Sequence, residues 1–186
     1  MADTTVAVTI GTKVSLGWGN SKKKGEHPTT GYTTWCDCTS HPDLNPSRDQ
    51  IETTTLCQEN NHTYTSGLRD FGELEFGSNL TQSTMDMFLD ANKGFFATYE
   101  AKVQEGKYLW ICIDIKHINK SYFIPVEPQD FGMPAGEAGS NKYDLSVYFS
   151  VIGDAYWDAD LEKGYTTPYG SESTTPTNGE TPVTTE

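Results

Sequence analysis

Apolar and polar residues alternate along several short segments of this chain, and this alternation constrains the fold more than any other feature. It is clearest in residues 107–115 and 142–154, where every second side chain is apolar. A period of two places those side chains on one face of a β-strand. Similar segments predict strands at residues 4–10, 13–16, 32–39, 70–76, 95–103 and 121–128. The pattern therefore predicts a mainly β fold, an antiparallel β-sandwich or a small barrel.

Two local signals refine this pattern. Pro125 and Pro128 predict that the strand at 121–128 is an edge or distorted strand, because proline cannot donate a hydrogen bond to a neighbour. One α-helix is predicted at about residues 82–92, capped by Asn79 or Thr81 and ended by Gly94. Its apolar stripe, spaced i, i+3, i+4, consists of Met85, Phe88 and Leu89.

Charge and composition restrict the domain organisation and the partners. The 26 acidic and 13 basic residues give a net charge of -13, which excludes specific nucleic-acid binding because phosphate contacts need a cationic surface. Residues 155–186 are rich in Ser, Thr, Pro and Gly, which predicts a polar, flexible tail after one domain of residues 1–154. No apolar run approaches the roughly 20 residues of a membrane helix. With no recognisable secretion signal, we expect cytoplasmic synthesis and no membrane insertion.

The sequence carries no motif for catalysis or for a cofactor. A nucleophile elbow, a phosphate-binding loop, a zinc-protease helix and a dinucleotide fingerprint are all missing from it. A zinc site could be drawn from Cys36, Cys38, His41 and Cys57, but the spacing does not match the usual ligand pairs. The pair Glu73 and Glu75 is typical of a solvated strand face. We therefore expect a protein that is not an enzyme and that has no cofactor or metal.

The connection between residues 48 and 75 is too long for an ordinary hairpin and is not low in complexity. Connections of this length inside a compact domain are uncommon and are usually functional or disordered. This one contains Ile51, Leu56, Tyr64 and Leu68, which need a surface to pack against if ordering the chain is to be repaid. One small sheet cannot easily supply that surface. The sequence therefore predicts a loop, at about residues 41–69, that packs on a neighbouring subunit.

Four short segments follow one another in a recognisable order: TWCD at residues 34–37, HPDL at 41–44, DQIETTTL at 49–56 and YTSGLRDFGELEF at 64–76. A helix and the FIP segment at 123–125 come next. This order resembles the major tail (tail tube) proteins of bacteriophages with long non-contractile tails, over about residues 5–155. Some relatives add an immunoglobulin-like domain, where this chain has only its polar tail.

The resemblance implies a structural virion protein whose copies form rings, commonly of six subunits, that stack into a hollow tail tube. The tube conducts DNA without binding it specifically and first holds a tape-measure protein; tail-terminator and distal tail proteins are further expected partners. The loop would supply the contacts between subunits and rings. Its contact residues are Ile51, Glu52, Thr53, Thr54, Leu56, Tyr64, Gly67, Leu68, Arg69 and Asp70.

An acidic lumen would repel DNA phosphates and let the genome slide. The candidate lumen acids, chosen because they fall on the polar faces of predicted strands, are Glu73, Glu75, Glu100 and Asp114. Alternation alone fits an outer, solubilising face equally well.

Two other classes of protein fit parts of the sequence. A carbohydrate-binding or adhesin-like β-sandwich could use the aromatic residues, 12% of the chain, for sugar stacking, although Trp35 and Trp110 lie on predicted strands and fit a core or an interface better. A tube protein of a secretion system would share its architecture with the phage tube.

Overall fold

The computed structural model describes residues 11–54, 62–115, 118, 120–129, 131–134, 142–159 and 165–166. The predicted strand at 4–10 and most of the predicted C-terminal tail lie outside these residues. The described elements, in chain order, are β1 (Lys13–Gly19), β2 (Tyr32–Thr34), β3 (Cys38–Ser40), β4 (Ser47–Glu52), β5 (Tyr64–Asp70), β6 (Glu73–Asn79), α1 (Gln82–Leu89), α2 (Tyr99–Gln104), β7 (Tyr108–Asp114), β8 (Lys120–Pro128), β9 (Asp144–Val151), β10 (Tyr156–Ala159) and β11 (Tyr165–Thr166).

Nine of these strands form one curled sheet, which confirms the predicted mainly β fold. The order along the sheet is β11-β2-β1-β7-β8-β9-β6-β3, and β10 also pairs with β8. All pairings are antiparallel except the short one between β2 and β11. The strands β4 and β5 belong to a separate two-stranded sheet.

Both faces of the central strands are buried. In β7, Leu109, Ile111 and Ile113 belong to the main core, which also contains Phe88 of α1. The opposite face carries a second, aromatic cluster made of Tyr32, Trp110, Cys112, Phe123 and Tyr156. Strong alternation in sequence therefore marks two packed faces here, and not one wet and one dry face.

His27, in the connection between β1 and β2, packs against the second cluster and holds that connection in place. The His27 ring stacks on Phe123 with ring centroids 3.7 Å apart, and its Nδ1 lies 2.6 Å from the Tyr156 hydroxyl. Burial lowers the pKa of His27, and the charge of Asp158 opposes that shift. The neutral imidazole is the form that this packing favours.

β8 is an inner strand, so the predicted edge strand is wrong, whereas a distorted strand, the other alternative, fits its change of partner at Pro125. Its residues 121–126 pair with β7, while on the other side residues 120–123 pair with β10 and residues 126–128 pair with β9. The carbonyl of Pro125 accepts a hydrogen bond from Ile152 on that second side, so the missing N–H of Pro125 faces the gap between the two partners. Proline is tolerated because no ladder hydrogen bond is lost there.

The predicted strand at 95–103 is also wrong. The amides of Phe95 and Phe96 donate to the carbonyls of Met87 and Phe88, which turns the chain back onto the end of α1. Phe96 then packs edge-on against Phe88 with centroids 5.3 Å apart, and α2 follows. The alternation of residues 95–103 is short and does not exclude a helix. The hydrogen bonds to the end of α1 decided the structure of this segment.

The helix α1 is confirmed in place but is shorter than predicted. Thr81 caps it, because its hydroxyl accepts a hydrogen bond from the amide of Thr84 at 3.1 Å. The helix ends at Leu89, five residues before Gly94, and its buried residues are Thr84, Met87 and Phe88. The predicted stripe is therefore displaced, and Leu89 is 40% exposed.

The folded part of the chain extends past residue 154, where the tail was predicted to begin. Ala155 and Tyr156 are buried, and β10 pairs with the first half of β8. The chain then returns to β2 through β11.

Candidate assembly interface

The strands β4 and β5 form a hairpin, here called the arm, that pairs with no other described strand. Every residue of β4 is exposed, and in β5 only Gly67 is not. The described part of the predicted loop is therefore a two-stranded ribbon. A lone ribbon of this kind is marginally stable in water, so the arm has the geometry of an element that needs a further surface.

Three large apolar side chains of the arm are exposed to solvent. Ile51 is 54% exposed, Tyr64 is 55% exposed and Leu68 is 91% exposed. The register places Ile51 opposite Thr65, and Tyr64 opposite Glu52 on the other face. Both faces of the ribbon therefore present apolar surface, as is typical of an interaction site. Leu56, also predicted as a contact residue, lies outside the described residues.

The polar groups towards the tip of the arm are paired within the arm. The amide of Thr53 donates to the carbonyl of Thr63 at 2.7 Å, and the His62 ring lies 2.6 Å from the Glu52 carboxylate. Hydrogen bonds from Thr54 and then from His62 lower the pKa of Glu52. Towards its tip the arm is therefore held by its own hydrogen bonds, while its large apolar side chains lack contacts.

A β-bulge lies in the middle of the arm. The register shifts between Arg48 and Gln50, so that Gly67 and Leu68 both face Asp49. A Cβ on Gly67 would lie 2.9 Å from the carbonyl oxygen of Asp49, which explains glycine at this position. Bulges redirect side chains, and here the bulge carries Leu68, which is 91% exposed.

At its root the arm borders an open cleft in the body. The cleft has a volume of about 850 Å³, and its lining includes Arg48, Arg69, Ile113, Tyr122 and Trp157. Asp70 stabilises the turn between the arm and β6, because its carboxylate accepts a hydrogen bond from the amide of Gly72 at 2.8 Å.

The predicted lumen acids fall in three different environments. Glu73 and Glu75 lie on the exposed face of β6, and the Glu75 carboxylate accepts a hydrogen bond from Ser146 at 2.6 Å. Asp114 is half-buried at the end of β7. Glu100 lies on α2, so its assignment to the polar face of a strand is wrong.

Sequence reasoning missed Glu127 as a member of this acidic face. The register pairs Ser150 with both Glu73 and Glu127, so the three residues form one row across β6, β9 and β8. Glu127 follows a run of six buried residues in β8, so alternation along the sequence does not place it on the face that it shares with Glu73.

The described residues hold no group of three or more His, Cys, Asp or Glu side chains arranged for a metal ion. Cys36 is exposed and Cys38 is half-buried, and burial raises the pKa of the Cys38 thiol to about 11. Among the helices described, none has the length and apolar character needed to cross a bilayer. Trp35 and Trp110 are buried, as their core interpretation predicted, whereas Trp157 is 49% exposed.

No protein-family model and no curated protein matches the sequence. Solved structures do share the fold. A chain of the anti-feeding prophage baseplate, 6-fold symmetrised, is 12% identical, with a TM-score of 0.54 over 83% of this chain and 97% of that one. A chain of the sheath-tube complex of an extracellular contractile injection system, PVC, is 13% identical, with a TM-score of 0.53 over 85% and 95%.

A chain of the anti-feeding prophage cap, described as the tube-terminating cap, is 15% identical, with a TM-score of 0.50 over 86% of this chain and 95% of that one. At such identities the likeness concerns the fold. The chain therefore has a fold found in components of tail-like injection particles.

Proposed function

We propose that this chain is a structural, non-enzymatic subunit of a phage tail tube, whose copies join into rings that stack into a hollow conduit for DNA. The observation that carries the proposal is the arm, which exposes Ile51, Tyr64 and Leu68 and pairs with no other described strand. Burial of these side chains on a neighbouring copy is the force that would drive assembly.

The open sheet supports ring closure. The described sheet ends in β3 on one side and in β2 with β11 on the other, and unpaired strand edges favour pairing with another chain. Head-to-tail contacts of this kind close into a ring when the rotation between copies fits. One of the similar structures is 6-fold symmetrised, which supports six copies in the ring.

Glu73 and Glu127 in one row, with Glu75 on the same exposed face of β6, support a place for that face on the lumen. Carboxylates in the wall of a narrow channel repel DNA phosphates and keep the duplex from adhering. The particle would be the virion tail, assembled after synthesis in the host cytoplasm, with a tape-measure protein inside and with tail-terminator and distal tail proteins at the ends.

A second candidate is a tube component of a contractile injection system. It is favoured because the similar structures come from the anti-feeding prophage and from a contractile injection system. Such a tube must bind a sheath on its outside. A sheath protein encoded beside this chain, and copurifying with it, would decide for the contractile system.

Electron microscopy of the concentrated, purified protein tests both versions. We expect rings or hollow tubes after negative staining, and loss of both in I51D, which places a charge in the proposed contact while leaving the monomer folded. A protein that stays monomeric at all concentrations and salt conditions, together with virions that keep normal tubes without it, would contradict the proposal.

A further inference from the structure

The only two arginines of the chain, Arg48 and Arg69, face each other across the arm. Directly opposed residues of an antiparallel pair share one face, with side chains close enough to interact. Like charges in that position destabilise a hairpin. A marginal two-stranded ribbon therefore keeps an unfavourable pair that a Thr or Gln at either position would remove.

Neither arginine forms an ion pair with a described acid. The ion pairs in the described part of the chain involve His27, His62, Lys102 and Lys142, and none includes either arginine. The nearby Lys24 borders the same cleft and adds positive charge. Asp43 lines the cleft as well, and Asp70 and Asp154 border the adjoining surface, but none of these carboxylates forms an ion pair with either arginine. Two opposed guanidinium groups without an ion-pair partner are unexpected in a chain with a net charge of -13.

The surroundings of the pair suit a bound anion. Both arginines border the cleft at the arm root, whose wall includes Ile113, Tyr122 and Trp157. Arg69 lies near enough to Tyr122 for its charge to oppose the rise in the Tyr122 pKa that burial causes. Guanidinium groups bind carboxylates through paired, charge-assisted hydrogen bonds, and those bonds become stronger where a neighbouring copy covers the cleft and its apolar wall.

We propose that Arg48 and Arg69 form a carboxylate clamp that receives an Asp or Glu side chain of a second copy of this chain. The inference rests on the proposed self-assembly and deepens it, because it names the surface that receives the neighbour. Charge complementarity identifies the occupant: each copy carries 26 acidic residues. The like-charge pair becomes favourable only when the carboxylate is in place, so the clamp couples arm stability to assembly.

The first test replaces both arginines and keeps the fold as a separate readout. R48Q/R69Q should raise the protein concentration needed for ring or tube formation by about 10-fold or more, since each lost pair removes charge-assisted hydrogen bonds. Its melting temperature as a monomer should equal or exceed that of the unmodified protein, because a repulsion is relieved. The control K23Q/K93Q removes the same charge from two exposed lysines and should assemble normally.

The second test identifies the source of the carboxylate. R69K introduces an amine that a carbodiimide can couple to a carboxylate in contact with it. Ring material assembled from ¹⁴N- and ¹⁵N-labelled copies should give cross-linked peptides at this position that join the two isotopes. Cross-links confined to one isotope would place the carboxylate in the same chain and overturn the inference, as would the lack of any cross-link at this position.

The outcomes separate the clamp from the proposed function. If the unmodified protein never assembles, the proposed function fails and the clamp fails with it. If R48Q/R69Q assembles as readily as the unmodified protein, only the clamp fails. If it assembles normally but loses binding to a DNA duplex that the unmodified protein retains, a phosphate is the occupant and the carboxylate clamp is refuted.

Discussion

Truncation of Leu68 to alanine separates an assembly contact from a core contact. In the free chain the Leu68 side chain is 91% exposed, so L68A should change the free energy of unfolding by no more than about 0.5 kcal/mol. If a neighbouring copy buries this side chain, the three lost carbons cost roughly 0.8 kcal/mol each, or about 2 kcal/mol per contact. That corresponds to a decrease of roughly 30-fold in the association constant.

Two measurements on the same samples report these quantities. Pelleting at a series of protein concentrations gives the critical concentration for assembly, and thermal melting of dilute protein gives the stability of the monomer. The matched control is F88A. Phe88 is completely buried against Trp35, with ring centroids 4.9 Å apart. F88A should therefore decrease the free energy of unfolding by about 3–5 kcal/mol.

The opposite pair of results would contradict an assembly contact at Leu68. A melting temperature for L68A that falls as far as that of F88A, with an unchanged critical concentration, would mean that the arm packs on its own body. The contact between copies would then have to lie elsewhere on the surface.

Three further predictions concern single residues. T81A should lower stability to urea by about 1 kcal/mol, because the Thr81 hydroxyl both caps α1 and donates to the carboxylate of Asp37 at 2.6 Å; an unchanged urea midpoint would contradict this. G67A should speed amide exchange in the arm and not in the main sheet, because the new methyl group meets the carbonyl of Asp49. For His27, burial lowers the pKa from its ordinary value of 6.5. The unfolded chain therefore takes up the proton first, and stability should fall as pH drops below about 6.5. In H27Q the loss of stability between about pH 7.5 and 5.5 should be smaller than in the unmodified protein.

Local signals predicted β1, β6, β7, β8, β9 and the helix α1 close to their observed positions. The alternation in β7 and β9, the Thr81 cap and the unusual length of the arm are all consequences of nearby residues. The mistakes arose where distant residues decided the outcome. Residues 95–103 bond to the end of α1, and Pro125 lies at the point where β8 changes partner. Neither of these contacts produces a periodic pattern of apolar residues in the sequence.

Some features of the candidate interface could be predicted from the sequence, and others required the structure. The apolar residues of the arm could be named from the sequence because they lie in a stretch that no single sheet needs. That Leu68 is almost fully exposed, that the two arginines oppose each other, and that Glu127 joins Glu73 in one acidic row follow only from the register of the strands.

The amino-acid sequence by itself determined that this chain forms short strands and a capped helix, that it carries an arm with apolar residues, and that its net charge is negative. Each of these properties depends on composition or on residues a few positions apart. The tertiary structure alone decided which strand pairs with which, which face is buried, and which charges meet. Those outcomes depend on contacts between residues far apart in the chain, and a pattern of side chains along the sequence does not specify the partner against which each face will pack.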